Sequence, residues 1–285
     1  MGVSCDDLSG EGIILPDRSE LFDCDRQYII RLKIMSNTDF KVDWTEPVIL
    51  AIDTSSSEAR LAVSSAESII TTLTIRNNRP HSQTLLSQIS TLLRLAEVKI
   101  RDVSAFAVAT GPGSFTGLRV GLAAIKGLAD SLNKPCLGVD SLDLFALASG
   151  LDGAHLVMIG AGRGEVYCGF RDVASGDIIN GSKNDKVGGP SSVLRAMTQY
   201  LRRPRLIITG DVGCKYEEEV LDFISQLQVD GARESNLQRT IFLKPAQNTS
   251  AVLAQRAAFL MKKNQIAPVI PHYIRPSDAE IRWRR

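Results

Sequence analysis

Residues 111–119 read Gly-Pro-Gly-Ser-Phe-Thr-Gly-Leu-Arg, and this stretch decides the fold. An apolar strand pattern at 105–109 precedes it, and a long apolar helix pattern follows from about 117 to 132. Glycine and proline at this density predict a tight strand-to-helix turn, because glycine adopts backbone angles that other residues avoid. Such a turn exposes backbone N–H groups at the start of a helix, where an anion or a partner chain can bind. It is not a Walker phosphate loop, since no Gly-Lys-Ser/Thr follows at the required spacing.

The composition is that of an ordinary globular protein. The chain has 285 residues and a net charge of +1, which gives no electrostatic reason to expect nucleic-acid binding by the chain alone. Its five cysteines are scattered without a Cys-x-x-Cys pair, a pattern typical of reduced thiols. No apolar run is long enough to span a membrane, and the acidic start lacks the apolar core of a secretory signal. The sequence therefore predicts a cytoplasmic protein that does not associate with membranes.

The sequence divides into three parts. Residues 1–46 are polar and acidic with one short apolar patch, and we expect them to be a peripheral or disordered extension. Residues 47–149 form the predicted N-terminal lobe, which opens on a buried strand and a meander and then alternates helices with strands. Residues 150–285 form the predicted C-terminal lobe, with a helix over 250–261 and a basic tail. This order predicts an α/β fold with a mixed sheet flanked by helices in each lobe and a cleft between the lobes.

Some local patterns predict single elements. The apolar spacing of Leu85, Leu86, Ile89, Leu92 and Leu93 predicts one buried helix face. Residues 178–190 are polar and glycine-rich, which predicts a surface excursion, and 193–201 reads as one helix. His81 stands at a helix start with no carboxylate pair or cysteine near it in sequence. We therefore expect it to hydrogen-bond a neighbouring loop rather than to bind a metal.

Three motifs together resemble the bacterial TsaB (YeaZ-like) family. They are Ile49-Leu50-Ala51-Ile52-Asp53-Thr54-Ser55, then His81-Ser82-Gln83, then the glycine turn and helix start over 111–121. Shorter matches follow at 124–129, 164–167 and 271–276, so the resemblance runs from about residue 48 to the end of the sequence. It implies a two-lobed fold of the actin/Hsp70/sugar-kinase (ASKHA) type. It also implies a role in making N6-threonylcarbamoyladenosine at position 37 of tRNAs that read codons starting with adenine.

The resemblance also implies partners. In that family the protein is a non-catalytic partner of the related catalytic subunit TsaD, and the ATPase TsaE joins the assembly. We therefore expect a TsaD homologue as the direct partner, a TsaE-type ATPase and tRNA as indirect ones, and a homodimer as an alternative state. No intrinsic cofactor is implied, and ATP or ADP would act at the level of the complex.

One difference from the catalytic relative concerns its metal site. That relative carries a His-x-x-x-His pair that holds a metal, and Ser141 and Phe145 stand at the matching positions in this sequence. Phenylalanine cannot bind a metal, and a serine hydroxyl is a poor substitute for imidazole. We therefore expect no catalytic residue and no metal at this position, so that the chain by itself is not an enzyme.

The helix after the glycine turn is the predicted partner interface. Small residues at four-residue spacing let another helix approach closely, and a stripe of larger apolar residues lies beside them. Packing on the chain's own sheet is the alternative use of the same surface. The resemblance favours the interface, since this region is the family's homodimer and TsaD-contact surface. The predicted interface residues are Gly113, Phe115, Gly117, Leu118, Arg119, Gly121, Leu122, Ala124, Ile125 and Leu128.

A free-standing nucleotide-binding kinase or ATPase is the alternative function. Asp53 begins the turn after the first strand, where kinases of this fold hold a phosphate-bound cation, and Thr54 and Ser55 add hydroxyls to that turn. Gly210 and Asp211 lie where a second phosphate loop would fall. The first turn lacks the glycine that usually follows the aspartate. These residues leave nucleotide binding open without establishing ATP hydrolysis.

Overall fold

The computed structural model describes residues 28–29, 47–65, 68–76, 79–181, 185–201, 205–229, 240–243, 248–266 and 269–275. Within the predicted N-terminal extension, it describes the two-residue strand Tyr28–Ile29. The expectation that the rest of 1–46 is peripheral or disordered, and the basic tail after residue 275, lie outside the described residues.

The first lobe is built on a six-stranded mixed sheet. Its strands are β1 (Tyr28–Ile29), β2 (Val48–Asp53), β3 (Glu58–Ser65), β4 (Ser68–Arg76), β5 (Ala105–Ala109) and β6 (Cys136–Val139). Their order across the sheet is β1-β4-β3-β2-β5-β6. The predicted meander pairs antiparallel, whereas β2, β5 and β6 run parallel. Every residue of β2 is buried, as its continuous apolar run predicts for a strand covered on both faces.

The second lobe is built on another mixed sheet. Its strands are β7 (Gly153–Gly162), β8 (Glu165–Ala174), β9 (Asp177–Gly181), β10 (Lys186–Gly188), β11 (Leu206–Thr209) and β12 (Thr240–Phe242). The order is β10-β8-β7-β11-β12, and β9 also pairs with β8. The long hairpin of β7 and β8 is antiparallel, and β11 runs parallel to both β7 and β12.

Helices cover both sheets. They are α1 (His81–Leu95), α2 (Phe115–Leu132), α3 (Ser141–Leu147), α4 (Pro190–Ala196), α5 (Thr198–Leu201), α6 (Glu217–Val229) and α7 (Thr249–Lys262). In the first lobe, α1 and α2 pack on the sheet face that carries Leu50, Ile52 and Phe106. On the second sheet, α4, α5 and α6 pack against one face, and α3 packs against the other although its residues fall within the predicted N-terminal lobe. The predicted α/β fold with a helix-flanked mixed sheet in each lobe is confirmed.

The C-terminal helix packs differently from the expectation. The sequence predicts a helix over 250–261 in the second lobe, but α7 packs on the first sheet, on the face opposite α1 and α2. Ala51 and Ala107 from the strands meet Leu253, Ala254 and Ala257 from the helix. Small side chains on both surfaces allow α7 to pack closely on the first sheet. The lobe boundaries otherwise stay predictions.

Smaller differences have local causes. The polar stretch over 178–190 contains β9 and β10, because the edge of β8 supplies hydrogen bonds to segments with no apolar pattern of their own. The helix predicted over 193–201 is divided at Met197 into α4 and α5. Leu86 is 66% exposed, so it does not share the buried face of its neighbour Leu85.

Among the helices described, none is long and apolar enough to cross a membrane.

Candidate functional site

Two turns of the first lobe meet at the base of a cleft. The turn after β2 and the glycine turn after β5 are joined by a hydrogen bond from the Ser114 N–H to the Ser55 carbonyl oxygen, at 2.7 Å. A Cβ atom on Gly113 would lie 2.3 Å from that same carbonyl oxygen, so only glycine allows this approach. Ser114 also caps α2, because its hydroxyl accepts from the Gly117 N–H at 3.2 Å. The predicted strand-to-helix turn is therefore present and occupied by contacts within the chain.

The cleft lies between the lobes and has a volume of about 710 Å³. Hydroxyl groups and backbone from the two turns line the first-lobe side, and the β7–β8 turn lines the opposite side. The segment after α7 contributes a further wall, which runs from His272 to Arg275. Of the predicted residues, those that line the cleft are Ser55, Gly113, Phe115, Leu118, Arg119 and Asp211.

Most of the predicted partner interface is buried inside the first lobe. Leu118, Leu122 and Ile125 belong to its core and are at most 6% exposed. A Cβ atom on Gly117 would lie 2.2 Å from the Thr54 carbonyl oxygen, and one on Gly121 would lie 2.3 Å from the Thr54 hydroxyl. The small residues therefore admit the chain's own β2–β3 turn rather than a partner helix. For these residues, the interface prediction is wrong, and intramolecular packing accounts for the pattern.

The exposed side of α1 and α2 holds the residues that a partner can reach. Leu86 on α1 is 66% exposed, and Arg119, Ala123 and Gly127 are exposed on α2. The predicted residues Phe115, Ala124 and Leu128 are partly buried and keep part of their surface. Helix periodicity does not reveal this face, because Leu86 lies only about 20° around the helix from Leu93, which is buried.

The predicted nucleotide residue Asp53 is held by other groups of the chain. Its Oδ1 accepts from the N–H and hydroxyl of Ser55 at 2.9 and 2.6 Å, and its Oδ2 accepts from the Thr249 hydroxyl at 2.5 Å. The guanidinium of Arg60 lies 3.8 Å from Oδ2. Asp53 is 1% exposed, and Thr54 is equally buried with its hydroxyl bonded to the Gly117 carbonyl. This carboxylate acts as a structural hub, which disfavours its use as a ligand for a phosphate-bound cation.

The second predicted nucleotide turn lies on the other lobe. Asp211 Oδ1 accepts from the Gly160 N–H at 2.7 Å, and burial raises the pKa of this carboxyl above its ordinary value. Gly210 has a φ of +118°, and a Cβ atom there would lie 1.9 Å from the Met158 carbonyl oxygen. The glycine is therefore required by contact between β7 and the turn after β11. Asp211 reaches the cleft, whereas Asp53 lies beneath it.

Buried side chains occupy the positions that match the histidine pair of the catalytic relative. Ser141 and Phe145 are both fully buried, and Phe145 lies in the core between α3 and the second sheet. His81 behaves as expected at its helix start, because its Nε2 lies 3.1 Å from the Ser56 carbonyl oxygen. Neither observation adds a metal ligand to the cleft.

An ion-pair cluster beside α3 was not foreseen. The buried guanidinium of Arg171 donates to Asp185 through two hydrogen bonds of 3.0 Å, to Asp140 at 3.3 Å and to Asp143. Burial opposes the charge of Arg171, but the hydrogen bonds to Asp185 and the nearby carboxylates raise its pKa further above the ordinary value. Burial is also the main cause that raises the pKa of Asp143. Arg171 lies 14 residues from Asp185 and 31 from Asp140, so no local sequence pattern predicts the cluster.

His272 joins this cluster from the C-terminal segment. Its Nδ1 lies 2.5 Å from Asp140 Oδ2, and Asp140 Oδ1 caps α3 by accepting from the Leu142 N–H at 2.8 Å. The hydrogen bond to Asp140 raises the pKa of His272 although partial burial opposes this. Arg171 contacts all three carboxylates and His272 contacts Asp140, so we interpret the cluster as a set of ion pairs.

Comparisons with known proteins fit this geometry. The profile of the family described as TsaD, tRNA N6-adenosine threonylcarbamoyltransferase, matches residues 69–192. The tRNA threonylcarbamoyladenosine biosynthesis protein TsaB of Bacillus subtilis is 30% identical over 82% of this chain and 97% of its own length. The protein of the same name from Escherichia coli is 31% identical over 53% of this chain and 66% of its own length. The solved structure of YeaZ from Pseudomonas aeruginosa shares the fold, with a TM-score of 0.59 and 24% identity over 80% of this chain and 99% of that one.

Proposed function

The chain belongs to the TsaB family of tRNA threonylcarbamoyladenosine biosynthesis proteins, and from this we propose that it is a non-catalytic subunit that activates a TsaD homologue by pairing with it. In this proposal, the assembly transfers a threonylcarbamoyl group to N6 of adenosine 37 in tRNAs that read codons starting with adenine, in the cytoplasm. The observation that carries the non-catalytic part is the burial of Ser141 and Phe145 where the catalytic relative has its histidine pair.

The likeness to the transferase family supports the choice of partner. The match to the TsaD profile covers α1, α2 and the strand between them, so the partner would carry a counterpart of this helix pair. Two chains of one fold can place equivalent surfaces against each other about an approximate two-fold axis. In the absence of the partner, the isolated chain would pair with a second copy of itself and form a homodimer. A TsaE-type ATPase, ATP or ADP and tRNA would join at the level of the complex.

The contact surface proposed for this pairing is the exposed side of α1 and α2. It presents Leu86, a large apolar side chain in water, next to a helix whose exposed positions include the small residues Ala123 and Gly127. Small residues let a partner helix approach, and a protruding leucine supplies apolar area to bury. This surface replaces the buried stripe of α2 as the proposed interface, and of the residues predicted for it Phe115, Arg119, Ala124 and Leu128 keep accessible surface.

Size-exclusion chromatography with light scattering tests the pairing. The chain and the TsaD homologue of the same organism are run separately and as a mixture, and wild type is compared with Leu86→Arg. The matched control is Ile179→Arg, because Ile179 is 67% exposed but lies on β9 of the second lobe. We expect a mixed complex that Leu86→Arg removes and Ile179→Arg retains. A complex that survives Leu86→Arg would reject this surface, and no complex from two folded chains would reject the subunit proposal.

A further inference from the structure

The segment over 269–275, which we call the strap, passes from the first lobe to the second. On the first lobe, Val269 packs against the core and the His272 N–H donates to the Thr110 carbonyl oxygen at 2.8 Å. On the second lobe, Ile274 packs in the core beside α3, and Arg275 donates to Glu165 Oε2 at 2.5 Å. Seven residues therefore tie both lobes together.

The strap forms a wall of the cleft and rests on its base. The centres of the Tyr273 and Phe115 rings lie 5.0 Å apart, and the Arg119 guanidinium lies 3.9 Å from the centre of the Phe115 ring. A Cβ atom on Gly111 would lie 2.8 Å from the His272 carbonyl oxygen, so the strap is seated directly on the glycine turn. Movement of the strap would open this side of the cleft and uncover the start of α2.

One charged contact holds the middle of the strap. His272 Nδ1 lies 2.5 Å from Asp140 Oδ2, and Asp140 is fixed in turn by its bonds to the start of α3 and to Arg171. The charged groups that act on His272 are Asp140 and Asp185, which favour its protonated form, and Arg171, which opposes it. Asp143 adds a third carboxylate on the far side of Arg171. Because these carboxylates outnumber the guanidinium, the cluster retains negative charge that an imidazolium reduces.

We propose that the strap is a proton-controlled latch on the cleft: protonated His272 holds it against Asp140, and loss of that proton releases the segment and opens the cleft. The neutral imidazole still offers an N–H group to the Asp140 carboxylate, but the attraction between two opposite charges is lost, so the contact is weaker. Release is a shift in population towards the open state, because the contacts of the strap with Thr110 and Glu165 still favour the closed one. The latch rests on the fold alone and is independent of the proposed partner.

Amide hydrogen exchange of the strap tests the latch. Wild type and His272→Gln are compared at each pH from about 6 to 9, so that the intrinsic pH dependence of exchange cancels in their ratio. At the acid end we expect the strap of wild type to exchange about tenfold more slowly, the effect of one charge-assisted hydrogen bond. The ratio should approach one as the pH rises, with a midpoint equal to the titration midpoint of His272 measured by NMR. A ratio that does not change with pH overturns the proposal.

Two variants identify the source of the pH dependence. Asp140→Asn keeps an oxygen that caps α3 but removes the charge, so the midpoint should move down towards 6.5, the ordinary value of a histidine pKa. Glu165→Gln should loosen the other end of the strap and leave the midpoint unchanged. A midpoint that does not respond to Asp140→Asn overturns the latch even if the strap is mobile. His81 and His155 provide internal reference signals, because the sequence contains three histidines.

Discussion

The glycines of α2 allow a quantitative test of what the small-residue stripe does. Gly117 faces the carbonyl oxygen of Thr54, and a Cβ atom there would lie 2.2 Å from that oxygen and 3.3 Å from the His81 ring. Gly127 lies on the same helix with nothing within 4 Å of an added Cβ atom. Alanine gains about 1 kcal/mol in helix propensity at the interior position 127 and at most about that at position 117 in the first turn, so the main difference between the two substitutions is the space that they meet.

The two substitutions should change the free energy of unfolding in opposite directions. In Gly117→Ala, the methyl group meets backbone rather than a flexible side chain, so we take the upper part of the roughly 1–3 kcal/mol cost of overpacking. After the gain in helix propensity, the free energy of unfolding should fall by about 2 kcal/mol. In Gly127→Ala, the free energy of unfolding should rise by about 1 kcal/mol. The two variants should therefore differ by about 3 kcal/mol.

Urea unfolding followed by circular dichroism measures this difference, provided that both variants keep the wild-type m-value. The same samples, mixed with the TsaD homologue and separated by size, report whether pairing changes. If the stripe serves packing within the chain, the substitutions change stability, and the molecules of each variant that are folded still pair with the TsaD homologue. A Gly117→Ala chain that is as stable as wild type but does not pair would refute this reasoning and restore the stripe as a partner interface.

Two further substitutions test the polar contacts. Arg171→Met should lower the free energy of unfolding by roughly 3 kcal/mol near neutral pH, the lower end for a broken buried pair, because it leaves three partly buried carboxylates without the guanidinium. The deficit relative to wild type should shrink as the pH is lowered, since burial raises the pKa of Asp143 and this carboxyl becomes neutral in the folded state before it does in the unfolded chain. A deficit independent of pH in urea unfolding would contradict this cause. Thr249→Val removes the hydroxyl that donates to Asp53 and should cost about 1–3 kcal/mol in the same assay. If it costs nothing, Asp53 is not the hub that ties α7 to the first lobe.

The fold was predictable where a local pattern has one physical solution. The continuous apolar run of β2 requires cover on both faces, and the glycine turn requires a sharp change of direction before α2. The pattern of α7 shows only that it is a helix with an apolar side. It does not say which sheet that side covers, and the small residues of both surfaces decided the choice. Helix periodicity likewise cannot distinguish a stripe that packs inside from one that packs on a partner, as Leu122 shows.

The polar contacts were less predictable because they join distant parts of the chain. Asp140 and His272 are separated by 132 residues, and Thr249 and Asp53 by 196. No periodicity links such pairs, since each is formed only when the lobes and α7 come together. Asp53 was identified as a site residue from its position after β2. In the structure, both carboxylate oxygens of Asp53 instead accept hydrogen bonds from other groups of the chain.

These contacts bear on why the chain would act through a partner. A catalytic carboxylate must leave an oxygen open to substrate or metal, whereas both oxygens of Asp53 accept hydrogen bonds within the chain. At the position of the relative's histidine pair, Phe145 is fully buried, and Arg171 lies among the carboxylates nearby. Asp53, Phe145 and Arg171 are thus engaged in contacts within the chain. A subunit whose contribution is a rigid surface on α1 and α2 gains from this arrangement, because rigidity lowers the entropy lost when two chains associate.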